Sequence, residues 1–147
     1  MKSNAFKNKK GPASRKENIR DERNVGLGAT PKLVFSFKDF DDTQVPPGQS
    51  FQDWESKGLL STFLENLKHM GEWTVQEACQ NDHLTIYGKW PDKSDFRPPK
   101  HIAADVKWAV LKSVGGQKIR VAGHIINNVF YVVFLDKEHV FWKMAKR

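Results

Sequence analysis

The sequence predicts an α+β domain, a twisted antiparallel sheet with N-terminal helices packed on one face. Three observations carry this reading. Apolar residues recur at helical spacing between residues 50 and 80. The last third holds strand-like runs separated by short turn signals. The composition, 39% hydrophobic and 12% aromatic with five Trp and ten Phe, is that of a chain with a packed core.

Residues 1–32 read as a basic flexible tail, because Ile19, Val25 and Leu27 are too sparse to build a core. A single domain is expected over residues 33–147. Leu33 to Phe40 alternates, with Leu33, Phe35 and Phe37 on one side of a half-buried strand. Pro46, Pro47 and Gly48 mark a loop over residues 41–49. Ser50, with Asp53 three residues on, caps a first helical turn that Gly58 interrupts. Leu60, Phe63, Leu64, Leu67 and Met70 follow the i, i+3, i+4, i+7 rule and read as core. Thr74 and Glu77 form a second capping box, opening a short helix in which Cys79 is expected to be buried.

His83 to Tyr87 reads as a short strand. Residues 88–101 form an irregular basic loop tied to the body by Trp90 and Phe96. Val106 to Ser113 and Lys118 to Ile126 read as strands joined near Gly115-Gly116. Asn127-Asn128 suits a two-residue hairpin turn, because Asn tolerates positive φ. Val129 to Leu135 is apolar throughout, as a strand covered on both faces would be. With that turn, Ile126 faces Val129, His124 faces Tyr131 and Arg120 faces Leu135. Arg120, Ala122, His124, Tyr131, Val133 and Leu135 then share one face.

The net charge of +7 hides three blocks. Residues 1–32 hold nine Lys/Arg against three Asp/Glu, residues 33–88 three against nine, and residues 89–147 twelve against five. A phosphate-rich or acidic partner would meet the basic C-terminal block. One cysteine excludes an internal disulfide and argues against a cysteine zinc site. His69 and His83 show no ligand spacing, so neither metal nor cofactor is expected. No apolar run reaches the roughly 18 residues of a membrane span. The opening residues lack the apolar stretch of a secretory signal, so a reducing cytoplasm is the expected compartment.

The C-terminal meander WAVLKSVGGQKIRVAGHIINNVFYVVFLDKEHVFW places an Arg on the second strand of a hairpin. It follows with a buried third strand and ends in Asp136-x-x-His139-x-Phe141. Over about residues 101–142 this pattern resembles the RelE/ParE-type toxin superfamily. The resemblance implies a small sheet packed on N-terminal helices, and cleavage of mRNA without a metal, often on the ribosome. It also implies inhibition by an acidic antitoxin protein; some members act on DNA gyrase instead. The basic tail, the proline loop and the 88–100 loop depart from the shorter members. Carry-over is limited to Arg120 and His139 as catalytic residues.

Pairing geometry alone gathers Lys112, Lys118, Arg120 and His139 at one sheet edge. Arg can grip two phosphate oxygens, His exchanges a proton near neutral pH, and Lys adds charge. Lys107, Lys112, Lys118 and His101 are the expected RNA contacts. Against this stands a plainer reading, in which Arg120 pairs with Asp136 and His139 ends a strand. His124 beside Tyr131 reads as a packed cross-strand pair. Two other functions fit the same charge. One is a non-catalytic nucleic-acid- or ribosome-binding module stacking bases on Trp90, Trp108 or Trp142. The other is a small protein with an acidic protein partner. Deleting residues 1–31 is expected to shift the melting temperature by only a few degrees, since little apolar surface is lost. A larger drop in a thermal melt would show that these residues dock on the domain.

Overall fold

The computed structural model describes residues 29–143, so the expected basic tail lies outside the described residues as far as residue 28. In chain order the elements are β1 (Val34–Ser36), α1 (Phe51–Ser56), α2 (Leu60–Met70), α3 (Val75–Gln80), β2 (Leu84–Gly88), β3 (Lys107–Leu111), β4 (Arg120–Ile126) and β5 (Val129–Asp136). They form one five-stranded sheet in the order β1-β5-β4-β3-β2. The class is α+β. The sheet, however, is mixed and not wholly antiparallel: β1 runs parallel to β5, pairing Val34 with Val129 and Ser36 with Tyr131. Alternation within β1 could not reveal its partner, because either direction gives the same side-chain period. β1 is also shorter than its pattern. The Ser36 hydroxyl accepts the Lys38 N–H at 3.3 Å and turns the chain out of the sheet.

The helices start where the capping boxes place them. Ser50 accepts from the Asp53 N–H while the Asp53 carboxylate accepts from the Ser50 N–H, and Thr74 and Glu77 repeat the exchange. Gly58, at φ +71°, separates α1 from α2. On α2 the buried stripe is Phe63, Leu67 and Met70, whereas Leu64 is 49% exposed and belongs to the outer side. The helices cover one sheet face, where this stripe joins Trp54, Ala109, Leu111, Val121, Ile125, Phe130, Val132 and Leu135 in one core. Among the described residues, the other face has no helix. Phe96, Trp108, Val110, Ala122, Val133, Phe134 and Phe141 form a second core there, flanked by Trp90, Ile102 and Trp142. Irregular chain thus covers this face, anchored by aromatic side chains that contribute large buried area each.

The β4–β5 hairpin begins as its turn dictates, with Ile126 opposite Val129 and His124 opposite Tyr131. Beyond that the register shifts. Gly123 pairs with Val132 but Ala122 pairs with Phe134, so Val133 is an extra residue, a β-bulge. Two expectations fall with it. Arg120 stands opposite Asp136 and not Leu135, and Leu135 turns to the helix face instead of sharing a face with Tyr131 and Val133. The long loop before α1 seals the outer edge of β5 beyond β1: Asp41 N–H donates to the Val133 carbonyl at 2.9 Å and Gln49 N–H to the Leu135 carbonyl at 3.2 Å. Gln49 Oε1 also accepts the Trp54 indole N–H and the Lys137 N–H, at 3.0 and 2.7 Å.

Gly123 has no room for a side chain. A Cβ there would overlap the Tyr131 carbonyl oxygen and lie 2.8–2.9 Å from two carbons of the Phe130 ring. Both belong to the hairpin partner, so backbone as well as ring would have to move. Gly123→Ala is expected to cost about 3 kcal/mol or more, the upper range for overpacking. Chemical denaturation measures this; a loss under about 1 kcal/mol would mean the hairpin yields freely there.

Candidate functional site

The β3–β4 connection, residues 112–119, lies at the end of the sheet where β5 leaves through Asp136. A cleft of about 510 Å³ opens there, lined by Thr62 and Asn66 of α2, Asp82, Lys112, Gly115, Gln117 and Arg120 among others. Three elements build it. The exposed side of α2 supplies Thr62 and Asn66, and the end of β3 projects Lys112. Asp82, at φ +61° after the C-terminus of α3, reaches toward it. Lys112 Nζ forms an ion pair with Asp82 Oδ1. The Lys112 ammonium, by hydrogen bond and charge, holds the Asp82 carboxyl below the usual carboxylate range. The Arg120 charge acts in the same direction on Asp82, which ties the two cations to one electrostatic neighbourhood.

Arg120 does not pair with Asp136, although the two face each other across the hairpin. Its guanidinium turns back to donate to the carbonyls of Gln117 and, at 3.1 Å, Ile119. Asp136 is fully buried, and its carboxylate accepts the N–H groups of Val140 and Phe141 at 2.9 and 2.8 Å. Burial pushes the Asp136 carboxyl up against the pull of these bonds. Its work is to fold the chain over after β5, which brings Phe141 into the second core. That turn carries His139 in the left-handed region, at φ +61°. Beside it, Glu138 bridges Lys118 at 2.9 Å and Lys137 at 3.0 Å, and these two ammonium groups hold its carboxyl down to about 2. Partial burial lowers the affinity of His139 for a proton, and the nearby charges of Arg120 and Lys118 lower it further, against the opposing pull of Asp136. The imidazole is therefore a base that stays uncharged below the ordinary His value.

Lys112, Lys118, Arg120 and His139 thus surround one end of the sheet. The other expected contacts stand elsewhere. Lys107 begins β3 at the far end, opposite Ile125. His101 borders a separate cleft of about 370 Å³ with Asp41, Asp42, Gln44, Arg97 and Lys100, and its Nε2 lies 3.0 Å from the Asp39 carbonyl oxygen. Trp108 is 3% exposed and offers no stacking face. Trp142 stacks on Tyr87 with ring centroids 3.7 Å apart. Cys79 is exposed, not buried, because Ala78 is the residue of α3 that turns inward. Among the described residues, no three His, Cys, Asp or Glu side chains are grouped to hold a metal ion, and no helix is long and apolar enough to cross a membrane.

His124 packs on Tyr131 as a cross-strand pair, with parallel rings and centroids 4.7 Å apart. Pairwise reasoning missed its third partner. His124 Nε2 is 2.9 Å from Asp39 Oδ2, and Lys38 Nζ is 3.2 Å from Asp39 Oδ1. Burial would raise the Asp39 carboxyl, but the bonds from His124 and Lys38 outweigh it and leave it below its usual value. This ties the turn after β1 to the middle of the sheet. No protein-family model matches the chain, and neither a curated protein nor a solved structure matches it.

The Asp39 contact makes a stability prediction with a defined sign. A carboxyl depressed in the fold stabilises it fully above its ordinary value of 3.8, and that contribution is lost as pH falls through the lower, folded value. Asp39→Asn is expected to destabilise by about 1–2 kcal/mol at pH 7, as for a lost hydrogen bond to a charged group. The gap should begin to narrow as pH falls below about 4. Denaturation midpoints of both proteins from pH 3 to 7 check this, and a gap independent of pH would remove the charge from the account.

Proposed function

We propose that the cleft end of the sheet binds the phosphate backbone of RNA and cleaves it as a toxin-like, metal-independent endoribonuclease, on free or ribosome-bound RNA. The observation that carries this reading is that Lys112 and Arg120 line the cleft at the end of the sheet where the turn after β5 carries a partly buried His139, close enough to Arg120 and Lys118 to feel their charge. In the reaction, the 2′-oxygen attacks the adjacent phosphorus and the bond to the 5′-oxygen breaks. His139, neutral at pH 7, takes the 2′-OH proton, and water supplies one to the departing oxygen. Arg120 and the two lysines face the extra negative charge of the phosphorane, which cations and fixed donors stabilise more than the ground state. The reaction then calls on no metal, and the products are a 2′,3′-cyclic phosphate and a 5′-hydroxyl.

A second reading, a non-catalytic RNA- or ribosome-binding module, is favoured by one feature. Lys112 and Lys118 already hold carboxylates, and Arg120 already holds backbone carbonyls. Such cations contribute charge to binding but need to rearrange before gripping a phosphate. The acidic antitoxin and the cytoplasmic setting belong to the toxin reading and stand or fall with it.

Purified protein is expected to cut single-stranded or ribosome-bound RNA in EDTA. Arg120→Ala should slow cleavage by about 10²–10³-fold, as for loss of one oxyanion donor. His139→Ala should slow it by about 10²–10⁴-fold. Because a base works when deprotonated and His139 is shifted down, the rate should rise with pH and reach half its plateau below the ordinary value of 6.5. Cleavage that requires magnesium, or that survives both substitutions, defeats the proposed site. Salt-sensitive RNA binding without cleavage, weakened by reversing Lys112 and Lys118 to Glu, establishes the second reading instead.

A further inference from the structure

The outer side of α2 leads out of the cleft. Thr62 and Asn66 line it, and His69 follows one turn on, so the three stand at i, i+4 and i+7 on one stripe beside the buried Phe63, Leu67 and Met70. Asn66 and His69 are about 4.5 Å apart along the helix axis. The opposite wall runs to the same place. Asp82 lines the cleft, His83 is the next residue, and the Lys112 N–H donates to the His83 carbonyl at 2.9 Å. Trp73 joins the two walls. Its ring centroid lies 4.7 Å from that of His69 and 4.9 Å from that of His83, and the two imidazoles are 6.4 Å apart. Trp73 packs on the helix-face core, but His69 is exposed and Trp73 and His83 are partly exposed. Among the described residues, neither nitrogen of His69, nor the Trp73 indole N–H, nor His83 Nε2 makes a hydrogen bond, and the nitrogens of Trp73 and His83 reach solvent. Only His83 Nδ1 has a polar neighbour, the Asn81 carbonyl oxygen at 2.9 Å. Ring surface and open nitrogens in one place suit an unpaired nucleobase, which needs a face to stack on and partners for its edges.

We propose that His69, Trp73 and His83 form a base-binding subsite beside the cleft, which takes one unpaired nucleobase of a single-stranded RNA whose phosphate lies against Lys112 and Arg120. The subsite rests on the reading of the cleft as a phosphate site. A base inside a duplex has both faces stacked and its pairing edge occupied, so it cannot enter; the substrate class is single-stranded RNA or an unpaired loop. Phosphate contacts fix the position of the chain and carry no sequence information directly. A preference among bases would therefore be set by these three rings, and the cations of the cleft would act on every sequence alike.

Fluorescence anisotropy on the full chain tests this with two labelled probes. One is a 2′-O-methyl oligoadenylate of about eight nucleotides, a length within the usual range of single-strand sites. The other is an abasic chain with the same number of phosphates. Neither offers a free 2′-OH, so neither is cut. The base-bearing probe is expected to bind about tenfold tighter than the abasic one, as for one stacked base. His69→Ala, at an exposed position, and the double variant His69→Ala with His83→Ala should stay folded by thermal melt. The double variant should bring the base-bearing probe to within about twofold of the abasic one and leave the abasic affinity unchanged. Lys112→Glu should weaken both probes by a similar factor, because it acts through phosphate. Equal affinity of the wild-type chain for the two probes overturns the subsite and leaves the phosphate reading standing, as does a double variant that still prefers the base-bearing probe tenfold. A double variant that loses both probes alike shows that the imidazoles hold the phosphate and not the base, which also overturns it. Failure of both probes to bind overturns the reading of the cleft, and the subsite with it.

Discussion

The extra residue in β5 is the constraint on which the rest of the structure depends. In a regular strand Leu135 would share a face with Tyr131 and Val133, and Asp136 would point into the helix core. The bulge instead sends two neighbours, Val133 and Phe134, to the helix-free face and returns Leu135 to the helices. Asp136 then stands against the chain that follows it, where its carboxylate can collect the N–H groups of Val140 and Phe141. The second core, the terminal turn and the placing of His139 all follow from that change of parity. Opposite the bulge, Gly123 leaves the space that the Phe130 ring and the Tyr131 carbonyl occupy. Bulged strands bend and twist more strongly, and a partner without a side chain accommodates that at least cost.

What could be read in advance was local. Ser50 with Asp53, and Thr74 with Glu77, announce helix starts because reciprocal capping needs only a four-residue pattern. Gly58 breaks the helical run, and Asn127-Asn128 sets the hairpin, for the same reason. What could not be read was set by distant partners or by single insertions. Nothing in Val34–Ser36 says that its neighbour will be β5, or that the pair will be parallel. A bulge leaves no mark in seven consecutive apolar residues, so the sequence alone sets Arg120 opposite Leu135 and not Asp136. No local pattern marks Asp39, and only the turn at Ser36 brings it to His124. That the ends of β3, β4 and β5 carrying Lys112, Arg120 and Asp136 share one end of the sheet is nonetheless readable, because hairpin order fixes which strand ends meet. That Asp82 and Asn66 join them is not, since α2 and the end of α3 join that cleft through tertiary packing alone.

This end of the sheet is balanced and not simply basic. Asp82 and Glu138 hold Lys112 and Lys118 in place, and the Gln117 and Ile119 carbonyls hold Arg120. Such pairing fixes cations in position but lowers the net field an incoming anion feels, since exposed pairs are largely screened. A polyanion would have to compete with these internal partners. The net charge of +7 is therefore a poor guide to the strength of the local field, and the arrangement of partners is a better one.

The parallel pairing of Val34 with Val129 has a consequence for synthesis. A ribosome delivers β1 and helices α1 to α3 well before β4 and β5 exist. Phe63, Leu67 and Met70 share their core with Val121, Ile125, Phe130, Val132 and Leu135, so the stripe on α2 emerges without its cover. Domains rich in long-range strand pairing cannot condense progressively from the amino terminus, because loop closure precedes the contacts that reward it. The nascent chain thus carries an adhesive surface until the hairpin leaves the exit tunnel. Its exposure to chaperones and proteases is governed by how quickly residues 71–136 are translated, and the stability of the finished fold has no bearing on that interval.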